Sequence, residues 1–196
     1  MFNRSLLLVA LLSGVSANSF SRFSLHQPSN TIVTSSKDGI QVKKVIIDFL
    51  QWYKLNIKKA NSFAMIDYDQ QGLAFVNLKE CAAYLQFIRS SKLVSSRYYN
   101  YWKKYFDDEA IKIKNDRLTK DDVPEGFDFD FVLITQEPEI MLDNIKKLKF
   151  RLVSETSKEA VMEVLLPGQE NFRYEFELQK TKTGWLIDYI STANFD

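Results

Sequence analysis

Eight residues near the C-terminus, Phe172 to Gln179, alternate without a break between apolar and polar. Phe172, Tyr174, Phe176 and Leu178 fall on one side. Arg173, Glu175, Glu177 and Gln179 fall on the other. Side chains of an extended chain point to opposite faces at successive positions, so this run is a strand with one face on a core and one toward water. A strand of this kind needs partners on both edges and a layer over its apolar face. The flanking sequence supplies the partners. Runs at about 148–155, 159–166 and 185–191 share the period of two. Pro167-Gly168 and Thr181-Lys182-Thr183-Gly184 separate them as turns. The last fifty residues therefore read as a four-stranded antiparallel meander.

The layer over it comes from the first half of the chain, where the period is helical. Ile40, Val45, Ile46, Phe49, Leu50, Tyr53 and Ile57 recur at steps of three and four, which predicts a helix over about 39–59 with Asp38 as its N-cap. Asn77 and Ser95 are placed to cap a second helix over about 79–90 and a third over about 96–109, extending toward Lys114. Asn61 to Val76 reads as a loop with a short strand at Leu73–Val76. Asn115 to Phe129 reads as a second loop, and Glu137-Pro138-Glu139 opens a short helical turn. About three helices followed by a meander, with no strand–helix–strand alternation, give the α+β class.

The N-terminus carries a different pattern. Arg4 precedes the apolar run Leu6–Leu12, and Val15-Ser16-Ala17 provides small residues at a cleavage position, so residues 1–17 read as a signal peptide cut after Ala17. The apolar run is much shorter than the roughly 20 residues of a membrane span. Residues 18–37, rich in Ser, Asn and Thr, read as a flexible lead-in, and residues 38–196 as one domain. The chain is expected to be exported to the periplasm or beyond, and soluble without stable membrane insertion.

Charge and rare residues then exclude function classes. The 26 basic and 25 acidic residues become 25 and 25 once Arg4 is removed. That balance argues against a nucleic-acid partner, which needs many neutralised phosphates. One Cys cannot form an internal disulfide, and one Cys with one His cannot build a structural zinc site. His26 lies in the lead-in, so no Ser/His/Asp set forms in the folded part. No glycine-rich phosphate loop is present and no cofactor is implied. Cys81 sits in the apolar stretch Cys81–Leu85 and is expected to be buried.

Three segments carry candidate chemistry. Phe127, Phe129 and Phe131 alternate with Asp128 and Asp130. In an extended chain both carboxylates share one face, where they would form an acid/base pair or hold a hard cation. The bland alternative puts the Phe side chains in the core and the Asp side chains in water, with Gln136 and Glu137 capping the next helix. Asp67-Tyr68-Asp69 is either a weak cation site or a solvated turn. The run Tyr98-Tyr99-Asn100-Tyr101-Trp102 with Tyr105-Phe106 places Tyr98, Trp102 and Tyr105 on one face and Tyr99 and Phe106 on another. It is either a stacking or protein-contact platform or a helix covered on two sides. Lys103, Lys104, Lys112, Lys114 and Arg117, interleaved with acids, read as a solvated surface.

The element order resembles the cystatin-like, nuclear-transport-factor-two-like fold, in which helices pack into a curved sheet to form a cone. Gly184-Trp185-Leu186-Ile187-Asp188-Tyr189-Ile190 is similar to the closing strand of that fold. Phe49-Leu50-Gln51-Trp52-Tyr53, Tyr84-Leu85 through Ser95, and Asp130 to Glu137 resemble segments of a family of small exported bacterial proteins whose domain has no assigned function. Phe131, Thr135 and Glu137 stand where that family has Pro, Ala and Asp. The resemblance implies a cone whose mouth holds a ligand. We expect a non-enzymatic binding module of the cell envelope, of immunity or inhibitor type, with an unknown protein or small molecule as partner. Trp52, Tyr99, Trp102, Phe106, Asp128, Asp130 and Gln136 are its candidate binding residues. The alternative is a small pocket enzyme with Asp128, Asp130 or Asp188 as general base.

Overall fold

A computed structural model describes residues 36–168 and 172–194. The expected signal peptide, most of the lead-in and His26 lie outside the described residues. The elements run α1 (Lys37–Ala60), β1 (Ile66–Tyr68), β2 (Ala74–Val76), α2 (Leu78–Arg89), α3 (Ser96–Asp116), α4 (Pro138–Asp143), a 3-10 turn (Ile145–Lys147), β3 (Lys149–Glu155), β4 (Glu159–Leu165), β5 (Phe172–Thr181) and β6 (Gly184–Asn194). The class is α+β, with helices over a four-stranded antiparallel sheet of order β3-β4-β5-β6. A separate hairpin, β1–β2, was only half legible in the sequence. No helix among the described residues is long and apolar enough to cross a membrane.

The alternating strand sits where its pattern demands. Tyr174, Phe176 and Leu178 are buried, opposite Val164, Met162 and Ala160 of β4. Val42, Ile46, Phe49, Leu50 and Tyr53 of α1 are buried in the same core, and α1 packs on β3, β4 and β6. The polar face of the sheet differs from expectation. Glu163 and Asp188 are nearly buried there rather than solvated. Arg151 is the cross-strand partner of Glu163 and pairs with it, while Arg173 approaches its other oxygen at 3.2 Å. Arginine stems from β3 and β5 thus cover Glu163, as cross-strand pairs do, while Asp188 pairs with Arg97 of α3.

The helix ends follow side-chain capping, with one correction. Ser36, not Asp38, caps α1, accepting from the Gly39 N–H at 2.7 Å. Asp38 is free to bind Lys180 on β5, at 2.6 and 2.7 Å. Asn77 and Ser95 cap α2 and α3 as expected, and α3 runs on to Asp116. Ser95 also fixes the helix layer to the sheet. Its N–H donates to Ile187 O at 2.8 Å, and Ile187 N–H donates to Leu93 O at 2.9 Å, so the α2–α3 link covers part of the β6 edge.

The aromatic run of α3 needs a second correction. Tyr98, Trp102 and Phe106 form one buried stripe with Ile113, so Phe106 belongs with Trp102 and not on an opposing surface. Steps of four advance only about 40° around the helix, which keeps these three side chains on the same side. Tyr101 lies outside it, stacked edge-on with Tyr189 at 4.6 Å. Cys81 is buried, and burial pushes its thiol up to about 12. Lys103 and Lys104 pair with Asp107 and Asp108 at 2.6 Å on the exposed side of α3.

Two substitutions test this layout by urea denaturation. Phe106→Ala removes a core ring and should cost about 3–5 kcal/mol. Ser95→Ala removes a helix cap and should cost about 1 kcal/mol. A Phe106→Ala loss below about 1 kcal/mol would return Phe106 to the surface.

Candidate functional site

The stretch 127–137 joins the loop after α3 to α4, and it is not a strand. Its start is fixed by Gly126, which adopts φ +87°. A Cβ there would lie 2.6 Å from the Tyr105 hydroxyl, which instead donates to Gly126 O at 2.9 Å. From Gly126 the chain enters the core. Phe131, Val132 and Leu133 are buried. Phe131 wedges among Phe106, Trp102, Phe127 and Tyr84, with ring centroids 5.0, 5.5, 5.5 and 6.1 Å away, mostly edge to face.

Buried irregular chain must satisfy its own N–H groups. Asp130 does this. One carboxylate oxygen accepts from the Val132 and Leu133 amides at 3.0 and 2.7 Å, and the other accepts the Tyr53 hydroxyl of α1. The Asp130 backbone closes the turn, donating to Thr135 O and accepting from Ile134 N–H. Ile134 takes φ +51° in that turn. A β-branched side chain holds such a backbone only when its surroundings impose it, at a cost of about 1–3 kcal/mol. Asp128 and Asp130 thus lie on an irregular turn, not on the extended strand expected. Gln136 and Glu137 do not cap α4. Gln136 Nε2 donates to Asp128 at 3.2 Å, and Thr135 Oγ1 receives the Glu137 N–H at 3.1 Å.

Beside this turn lies an open cleft of about 530 Å³. Tyr53, Ala60 and Asn61 of α1 and its C-terminal end form one side. Phe63, Ala64, Met65 and Ile66 form a second. Phe127 to Phe131, Thr135, Gln136, Pro138 and Glu139 complete it, with Tyr84 of α2. Three expected residues, Asp128, Asp130 and Gln136, line the cleft. Trp52, Tyr99, Trp102 and Phe106 do not. Trp52 packs half-buried on Phe87 at 5.4 Å, and Tyr99 lies under the Arg89 guanidinium at 5.2 Å. Asp188 occupies the bulge where β6 meets β5 and pairs with Arg97 at 3.1 Å, away from the cleft lining.

Tyr53 and Tyr84 are the lining residues that sequence reasoning took for plain core. Their signal was a hydroxyl at an otherwise apolar helical position, which demands a partner when buried. Tyr53 has one in Asp130. Tyr84 is buried beside Tyr53, and its hydroxyl faces the Tyr53 hydroxyl out of contact with solvent. Burial first, and then the Asp130 charge, hold the Tyr53 phenol well above its ordinary range, so it stays a donor.

Burial raises the Asp130 carboxyl above the usual carboxylate value, against the Tyr53 and amide hydrogen bonds that favour its charge. With both oxygens engaged by donors, it serves as an acceptor hub more than as a base with a free lone pair. Among the described residues no group of three His, Cys, Asp or Glu stands together as a metal site. In the hairpin, Asp67 and Tyr68 end β1, and Asp69 opens the turn, accepting from the Gln71 and Leu73 amides at 2.8 and 2.9 Å.

A scan against models of known protein families, a search of curated proteins and a search of solved structures each find no match to this chain.

The raised Asp130 carboxyl has a measurable consequence. The folded protein holds this proton more tightly than the unfolded chain, whose carboxyl titrates near 3.8. Stability from this group is therefore full below about pH 4 and is lost as pH rises through the folded value. Asp130→Asn keeps an acceptor for the two amides but does not titrate. The stability of the wild type relative to Asp130→Asn should fall as pH rises from 4, in urea denaturation series between pH 3 and 8. A flat difference would mean that folding does not perturb the carboxyl. Tyr53→Phe strips a donor from the buried carboxylate and should cost about 1–3 kcal/mol at neutral pH.

Proposed function

We propose that the protein is an exported, non-enzymatic binding module of the bacterial cell envelope, and that its ligand sits in the cleft between the α1 end, the Phe63–Ile66 segment and the Asp130 turn. The observation that carries this reading is the cleft itself. It is concave, walled by aromatic rings and furnished with a few convergent polar groups, the usual make-up of a ligand site. The strained Ile134 turn beside it adds support, because such backbone is retained where a site requires it. The leader-like Met1–Ala17 supports export.

The helix layer over a four-stranded meander, with bulges in β3 and β6 that bend their strands, supports a cystatin-like cone. An immunity or inhibitor role is one form this binding would take, with the cleft rim meeting a partner's protruding group. The second reading, an enzyme with a carboxylate base, draws on Asp130, which lines the cleft and has a raised pKa. The engagement of both its oxygens by donors favours binding over base catalysis.

The test is an amide NMR titration of the full chain with a set of small fragments of varied chemistry. Shifts should concentrate at Asn61, Ala64 to Ile66 and Phe127 to Gln136. Ala64 is solvent-exposed on the cleft wall, so Ala64→Trp should fill the space and abolish those shifts with little change in thermal stability. Binding that persists unchanged in Ala64→Trp would place the ligand elsewhere. Fragment turnover that disappears in Asp130→Asn would favour the enzyme instead.

A further inference from the structure

We propose that the outer face of α1, with the 3-10 turn and the start of β3 beside it, is a peripheral docking surface for a membrane rich in anionic lipid headgroups. None of its side chains lines the cleft, and the proposal does not depend on the cleft binding anything. The export proposed above sets which membrane this face meets, and the binding itself does not require it.

The sequence divides its charge unevenly. Lys37–Ala60 carries six lysines and two aspartates, and residues 144–151 carry three lysines, one arginine and no acid. The rest of the chain holds the remaining 16 basic residues against 23 acidic ones. The fold brings the two basic segments together. α1 packs on the 3-10 turn and on β3. Lys43 Nζ lies 4.8 Å from the Phe150 ring centroid, and Lys54 Nζ donates to Leu142 O at 3.1 Å and to Asp143 at 2.7 Å. Lys146, Lys147 and Lys149 stand exposed beside them. The aspartates at this face are engaged: Asp48 with Lys44, Asp143 with Lys54 and Asp38 with Lys180. Lys43, Lys58, Lys146, Lys147 and Lys149 make no ion pair among the described residues, so their charge is free to act outward.

Charge alone fits many polyanions, and the apolar residues on the same side select among them. Ile40, Lys44, Ile47, Gln51, Leu55 and Lys58 recur at steps of three and four, opposite the buried stripe of Val42, Ile46, Phe49 and Tyr53. Leu55 is 85% exposed, more than any other large apolar side chain among the described residues, and Ile40 is 58% exposed. Single exposed apolar side chains are ordinary. A row of them between lysines on one helix face is the make-up of a helix that lies at a membrane interface. The aliphatic side chains enter the acyl boundary, and the lysine stems carry their ammonium groups to the headgroups. A protein partner fits less well, because lysine is depleted in protein interfaces. A nucleic acid would leave the aliphatic side chains in water.

The experiment measures binding of the full chain to phosphatidylglycerol and to phosphatidylcholine vesicles, by co-sedimentation and by a polarity-sensitive fluorophore placed through Leu55→Cys. Cys81 is buried, so the label goes to residue 55. Binding should be at least about tenfold tighter to phosphatidylglycerol and should weaken as salt rises. The label should report an apolar environment on those vesicles. Lys58→Gln with Lys146→Gln and Lys147→Gln removes three unpaired charges. It should weaken binding roughly a hundredfold, each lysine near an anionic surface carrying about fivefold. Leu55→Ser should weaken binding about fivefold or more and leave the melting temperature unchanged. Lys104→Gln with Lys114→Gln and Lys120→Gln removes the same charge from α3 and the loop after it, and should leave binding within about twofold. Equal binding to the two lipids overturns the proposal, as does an α3 variant that loses as much binding as the first. Vesicle binding in which the residue 55 label stays in water comes from another part of the chain and overturns it as well. Tighter binding to heparin or polyglutamate than to vesicles, with Leu55→Ser without effect, identifies a soluble polyanion in place of a membrane. None of these outcomes alters the fragment titration of the cleft, so the two readings fail separately.

Discussion

Backbone amides that leave water need acceptors, and at Val132 and Leu133 the acceptor is a side chain, the carboxylate of Asp130. Helices and strands meet this requirement within themselves. The segment from Gly126 to Glu137 does neither, yet it runs through the core with Phe131, Val132 and Leu133 buried. One carboxylate accepts three donors: two amides from its own turn and the Tyr53 hydroxyl from α1. The contact therefore joins the irregular segment to the longest helix. It also fixes how the cleft wall faces α1. Removing the charge from water is unfavourable in itself, and the raised pKa records that cost.

The packing of Phe131 is the apolar counterpart of this contact. The stripe Tyr98, Trp102 and Phe106 on α3 leaves a hollow that Phe131 fills, with Phe127 and Tyr84 closing around it. Edge-to-face rings provide both area and direction. The aromatic run of α3 thus acts inward, as the seat of a loop, and the loop then presents Asp128, Gln136 and Glu139 at the surface. The structure builds its cleft by burying one set of aromatics so that a polar set is held at the rim.

The buried charges of the sheet are paired. Glu163 lies under two arginines, Asp188 against Arg97, and Asp38 against Lys180. The cleft is different. Its three carboxylates have hydrogen-bond donors at Asp128 and Asp130 but no basic residue in the lining. A local excess of negative charge in a balanced chain is the feature that gives the site its chemical character.

The α+β class, the caps at Asn77 and Ser95, and the four-stranded meander were determined by local pattern. A period of two or 3.6 and a side chain that satisfies a free N–H act within a few residues. The Phe172–Gln179 alternation placed its apolar face correctly for this reason. Its polar face was legible only in part, because the arginines that cover Glu163 arrive from neighbouring strands. Asp128, Asp130 and Gln136 could be singled out as candidates from their types and spacing. That they share one cleft beside a left-handed turn at Ile134, that Phe106 faces inward, and that Tyr53 and Tyr84 complete the cleft were decided only by tertiary structure. The turn is closed locally, but its place against α1 and α3 depends on partners far along the chain, and the energy that selects them is burial and hydrogen bonding between segments, which no local period encodes.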